Sequence, residues 1–207
     1  MSVNTSPYLI PVNNLEFETI VNRSRFICSL KHCSDNAQVK SFIEQIRQNY
    51  PDASHHCYAF VSARPEDSQS YGFSDDGEPS GTAGRPMLAV LQGSGIGEVC
   101  AVVTRYFGGV KLGTGGLQRA YGNSVRQALL ELPTTLKIPT EEVFITCDYQ
   151  QVKDIEHTLL GFDGVVINQD YAIEVNLIVE IPIPNIKKFC QRITELTSGR
   201  VVPTSKI

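Results

Sequence analysis

Apolar positions along this chain keep two rhythms, one matching strands and the other helices, and their order sketches the architecture. Leu15–Val21 and residues 25–30 read as strands. Asp35 or Asn36 then caps a helix whose apolar face is Val39, Phe42, Ile43 and Ile46, and Pro51 stops it. Residues 56–63 predict another strand, 64–81 a long polar loop, and 87–91 a short helix. Val99–Tyr106 is almost unbroken in apolar residues, as in a strand covered on both faces. Leu117, Ala120, Tyr121, Val125, Ala128, Leu129 and Leu132 recur at helical spacing and mark one buried face.

Residues 133–139 pair a helix stop with a second proline and predict a hinge. Beyond it, Val143, Ile145 and Cys147 alternate, whereas Val152, Ile155 and Leu159 recur helically. A strand at 165–167 precedes the strict alternation of Ile173, Val175, Leu177, Val179 and Ile181. Ile186, Phe189, Cys190 and Ile193 then make a helix, with Val201 in a last strand. The order β-α-β-β-α-β is that of a ferredoxin-like domain. The expectation is an α+β chain with domains at 1–135 and 140–207.

The net charge of −4 over 207 residues argues against coating nucleic acid through bulk charge, so any such contact must be local. One stretch stands out: between Val99 and Leu130 there are four cations, Arg105, Lys111, Arg119 and Arg126, and no acid. They flank Gly108, Gly109, Gly113, Gly115 and Gly116, a loop that opens a helix. Glycines permit positive φ and close approach, and a helix start offers unpaired N–H groups to an anion. The loop lacks the Gly-Lys-Ser/Thr of a P-loop, and Gln118 stands where a dinucleotide fingerprint needs its third glycine. Tyr106 and Phe107 offer rings for stacking on an unpaired base, and alternation puts one of the two in the core.

A second polar constellation, Ser74 to Gly84, holds Asp75, Asp76 and Glu78, which as oxygen ligands could suit Mg²⁺; turn and cap roles are the plainer reading. His55, His56 and Cys57 lack zinc-site spacing, because neighbours on a strand face opposite ways. No nucleophile motif is present, and no resident metal or cofactor is expected. Six scattered cysteines without CxxC spacing suit reduced core thiols. The absence of a signal peptide pattern or an apolar run long enough for a span predicts a cytoplasmic protein with no membrane partner.

The runs SDDGEPSGTAGRPM and VVTRYFGGVKLGTGGLQRAYG closely resemble the signature of the IMPACT family, and the whole chain resembles its bacterial branch. The resemblance implies an N-terminal α/β sandwich of the ribosomal-protein-S5 second-domain type before the ferredoxin-like domain, together similar to domains IV and V of elongation factor G. The motif positions fall on His56, Asp75, Asp76, Gly77, Glu78, Gly81, Thr82, Gly84, Arg105, Tyr106, Gly108, Gly109, Leu112, Gly113, Gly115, Gly116, Ala120 and Tyr121. His56, Asp75, Asp76, Glu78, Gly81, Thr82 and Tyr121 carry no role that the family lends. Eukaryotic members act in translational control, competing for the activator of a starvation-sensing kinase and associating with ribosomes. They use an extra N-terminal domain for protein contacts, and that partner does not carry over to this chain.

The expected function is therefore a translation-linked regulator that binds RNA or the ribosome without catalysis. Arg105, Lys111, Arg119 and the loop amides would meet phosphates, and Tyr106 or Phe107 a base. Lys187, Lys188, Arg192, Arg200 and Lys206 make a second basic surface. The rival readings are a Mg²⁺-dependent enzyme acting on a phosphorylated small molecule, with Asp75, Asp76 and Glu78 as ligands, and a protein-interaction module with a protein partner.

Overall fold

The computed structural model describes residues 6–205. The chain divides into two compact units, Tyr8–Lys137 and a second beginning at Ile138. The first contains β1 (Tyr8–Pro11), β2 (Leu15–Val21), β3 (Ser24–His32), α1 (Asn36–Asn49), β4 (His55–Val61), β5 (Tyr71–Ser74), α2 (Gly84–Ser94), β6 (Val99–Tyr106), α3 (Gly113–Glu131) and β7 (Thr134–Lys137). The second contains β8 (Thr140–Cys147), α4 (Val152–Leu160), β9 (Val165–Tyr171), β10 (Val175–Pro182), α5 (Ile183–Leu196) and β11 (Thr204–Ser205).

In the first unit five antiparallel strands lie in the order β2-β3-β6-β4-β5. Strand β6 occupies the centre, and its continuous apolar run follows from cover on both faces. Val99, Ala101 and Val103 join the core beneath α2 and α3, while Cys100 and Val102 face α1 and its Val39, Phe42, Ile43 and Ile46. This is the expected α/β sandwich. Helix α1 starts where the Asp35 carboxylate accepts the Gln38 N–H at 2.8 Å, and Tyr50, just before Pro51, caps its end. Between β2 and β3 the turn residues Asn22 and Arg23 both have positive φ, 45° and 67°, the geometry of a two-residue hairpin.

The second unit has sheet order β11-β8-β10-β9, all antiparallel, with the buried faces of α4 and α5 against Val143, Ile145, Leu177 and Val179. The ferredoxin-like order is present as expected. Strand β9 runs past the predicted 165–167 to Tyr171, and the last strand is Thr204–Ser205, with Val201 buried in the core just before it.

Several elements differ from the sequence expectation. The long polar loop contains a 3-10 turn, Ser68–Ser70, and the edge strand β5, where Gly72 sits against the Phe60 ring. Helix α2 spans Gly84–Ser94, wider than the apolar 87–91. Helix α3 begins at Gly113, so the glycine run does open the helix, one turn ahead of the apolar face that starts at Leu117. The expected hinge contains β7, whose β-branched Thr134 and Thr135 pair with β1. Glu98, 3% exposed, ties this two-stranded ribbon down by accepting from Tyr8 Oη at 2.6 Å, Lys137 Nζ at 2.5 Å and His32 Nε2 at 2.7 Å. Among the described residues no helix is long and apolar enough to cross a membrane.

Candidate functional site

Strand β6 ends at Tyr106, residues 107–112 turn outward, and α3 begins at Gly113. The glycines here do two jobs. At Gly108 a Cβ would sit 2.1–2.4 Å from the backbone of Arg23 and Ser24, so the loop is pressed onto the β2–β3 hairpin and admits no side chain. Gly109 and Gly113 have φ of +82° and +70° with open space around them, so there the conformation requires glycine. The first turn of α3 carries no acid and no side-chain cap. Its amides, beside the exposed Lys111, Gly113, Thr114 and Arg119, keep the partial positive charge of a helix start. Gly115 and Gly116, half-buried, complete that turn.

Arg105 does not join this open surface, which corrects its expected phosphate role. In β6 it alternates onto the face of Val99, Ala101 and Val103, and its side chain is 7% exposed. Burial of a guanidinium demands a partner. Glu78 supplies it, its Oε1 lying 2.5 Å from Arg105 Nη1. The same oxygen accepts from Tyr121 Oη at 2.7 Å and lies 4.0 Å from His55 Nε2. The guanidinium also lies 5.4 Å from the Phe26 ring centre and 5.6 Å from that of Phe107, and Nη2 is within 3.5 Å of Ser24 Oγ. Arg105 is thus a buried structural cation.

Above this pair lies a cavity of about 390 Å³ lined by Glu78, Pro79, Arg105, Phe107, Lys111, Leu112, Gly113, Thr114 and Leu117. Phe107 lies just past the strand end and is 50% exposed. Tyr106 is half-buried, with the Arg25 guanidinium 5.3 Å from its ring centre. Neither ring is core, because the strand stops before alternation can bury one of them. Arg119 and Arg126 border a second, larger groove of about 740 Å³ between α2 and α3, whose lining holds no acid.

The acidic loop explains itself as architecture. Asp75 accepts backbone N–H bonds from Gly81 at 2.8 Å and from Ala83 and Gly84 at 2.9 Å, capping α2 from a distance. Partial burial pushes its pKa up, but those three bonds outweigh it and leave the carboxyl below its usual range. Asp76 accepts from Arg47 Nη2 at 2.9 Å and from the His56 backbone N–H at 2.6 Å. His56 is buried, with Nε2 3.1 Å from the Tyr50 carbonyl. Thr82 is buried and donates to the Pro79 carbonyl at 2.6 Å, while Gly81 turns at φ +75°.

The three carboxylates therefore serve three separate sets of donors and do not converge, which corrects the Mg²⁺ reading of Asp75, Asp76 and Glu78. Among the described residues no group of three His, Cys, Asp or Glu side chains is placed to hold a metal. Cys57 is buried and donates to the Asp75 carbonyl, and burial pushes its thiol up to about 12. Lys187, Lys188 and Arg192 are exposed on α5; Arg200 is exposed beyond it, with Nε donating to Thr197; Lys206 lies outside the described residues.

Sequence reasoning missed Ser24, Phe26 and His55 as neighbours of Arg105. The available signal was alternation: a charge on the apolar face of a doubly covered strand calls for a buried counter-charge.

Residues 22–129 match the family description "Impact N-terminal domain", and residues 145–200 match "Domain of unknown function (DUF1949)". The chain is 47% identical to the IMPACT family member YigZ of Escherichia coli K12 over 93% of this chain and 94% of that one. It is 37% identical to the IMPACT family member YvyE of Bacillus subtilis 168, covering 89% and 84%. A crystal structure described only as that of a hypothetical protein is similar at 45% identity and a TM-score of 0.79, covering 97% of this chain and 98% of that one. With a family description spanning half of the chain and curated relatives spanning nearly all of it, this protein belongs to the IMPACT family.

Proposed function

We propose that this protein binds RNA, in a ribosomal setting that bears on translation, through the entry to α3, and does so without catalysing a reaction. The observation that carries the reading is the first turn of α3: uncapped amides without an acid, beside Lys111 and Arg119, neither of which pairs with a carboxylate among the described residues. Phe107 adds a half-exposed ring beside them. In a chain of net charge −4 such a footprint is small, so contact is with a local feature rather than a long duplex.

The test measures retention of purified ribosomes and of a single-stranded RNA at two salt concentrations, comparing wild type with Lys111→Ala/Arg119→Ala. Removing two phosphate contacts should reduce the slope of log affinity against log salt by roughly 1.4, about 0.7 per contact on single strands. Unchanged retention by the double variant at both salts overturns the reading. Arg105 is left intact in this test, because its removal would disturb the core rather than the surface.

A further inference from the structure

We propose that the groove between α2 and α3 seats an acidic amphipathic helix of a protein partner, an inference that stands apart from the RNA reading. The groove holds about 740 Å³, and each of its two helices gives it one face. Pro86, Ala89, Val90 and Gly93 come from α2, and residues between Gln118 and Leu130 come from α3. That stretch of α3 runs about 18 Å, room for a partner helix of about three turns. The lining combines apolar surface with bare backbone. Leu130 is 73% exposed, Ala89 and Gly93 are exposed, and a Cβ at Gly93 would meet nothing within 4 Å.

The charge of the groove opposes that of the chain. Helices α2 and α3 together carry Arg85, Arg119 and Arg126 against one acid, Glu131 at the end of α3, in a chain of net charge −4. Arg119 and Arg126 line the groove, and Asn123, also in the lining, accepts a hydrogen bond from Arg126 Nη1. The two arginines stand two turns apart on one side of α3, about 10 Å along its axis. A partner that answers them carries carboxylates at the same interval. Its backbone form follows from what the lining lacks. There is no strand edge to pair with an extended peptide, and no aromatic ring of the kind that polyproline segments and unpaired bases use. A helix laid against two others uses neither, and instead needs small residues for close approach, apolar side chains to bury and charges at the rim.

The test measures binding to the full chain of a labelled, lactam-constrained helical peptide of about 14 residues, with a leucine stripe flanked by two glutamates two turns apart. A control peptide carries lysines in place of the glutamates. The acidic peptide should bind at least about tenfold tighter than the control to wild type, and Arg126→Glu should remove that preference. Gly93→Leu fills the open floor with a better helix former, so it should leave the melting temperature no lower while weakening the acidic peptide about tenfold. Equal binding of the two peptides to wild type, or binding of neither, overturns the proposal. So does acidic-peptide binding that survives Gly93→Leu. A uridine oligonucleotide serves as a parallel probe, because Gly93 lines this groove and not the cavity at the start of α3. Oligonucleotide binding should not change in Gly93→Leu, and its loss there assigns the groove to RNA and overturns the helix.

Discussion

Replacing Arg105 by alanine tests whether the cation at the head of the RYFGG run is structural. Glu78 is 4% and Arg105 7% exposed, and the 2.5 Å contact between them is closed off by Phe26, Tyr121 and Phe107. Removal of the guanidinium strands a carboxylate in the core with a tyrosine hydroxyl as its remaining close donor. Breaking a buried pair in this way costs about 3–5 kcal/mol. Tyr121→Phe removes one hydrogen bond to the same oxygen and should cost less, about 1.5–3 kcal/mol. Because both variants act on Glu78 Oε1, the double variant should depart from additivity by about 0.5–3 kcal/mol. The chain has no tryptophan, so urea unfolding is best followed by circular dichroism. With a slope of about 1–3 kcal/mol per M, the Arg105→Ala midpoint should fall by about 1 M or more. A variant that keeps its midpoint within experimental error yet loses RNA binding would refute the structural assignment and restore Arg105 as a phosphate contact.

Three other outcomes follow from the same geometry. Gly108→Ala drives a Cβ into the Arg23 backbone, which cannot yield as a side-chain tip would, and should destabilise by about 1–3 kcal/mol in thermal melts; Gly109→Ala meets open space and suffers only its φ of +82°, about 1–2 kcal/mol. Asp75 has a depressed folded pKa, so its contribution is complete above the ordinary carboxylate value of about 3.9 and fades as pH falls through the lower folded value; melts from neutral to acid pH should show the gap between wild type and Asp75→Asn closing only at the acid end. Glu98→Gln removes charge-assisted bonds from Lys137, Tyr8 and His32, so the amides of Tyr8, Leu9, Ile10 and Thr134–Lys137 should exchange hydrogen about tenfold faster while those of β6 do not change.

Elements whose residues carry their own periodicity were readable from the chain. Strand β6 announced its double cover, Asp35 announced α1, and alternation against helical recurrence laid out the ferredoxin-like order. Elements fixed by distant partners were not readable. Strands β1 and β7 are four residues each and become strands only by meeting across the length of the first unit. Strand β5 hides in a polar loop because Gly72 interrupts its apolar signal where Phe60 lies over it. At the site, glycines and free cations at the start of α3 were legible, since their chemistry is local. The fate of Arg105 was not, because Glu78 reaches it through a turn set by Asp75, Asp76 and Gly77, and only strand register brings His55 opposite Arg105. Most of the acidic motif likewise turned out to hold its own loop in place.

The ribbon pinned by Glu98 pairs Tyr8 directly with Lys137. Cross-strand partners of this kind lie about 5 Å apart, so the polypeptide departs the sandwich beside the point at which it arrived. Such a module can be grafted as a cassette into a host loop, or have its ends joined and be reopened at an exposed bend such as the one between α1 and β4, with little change in the path of the chain.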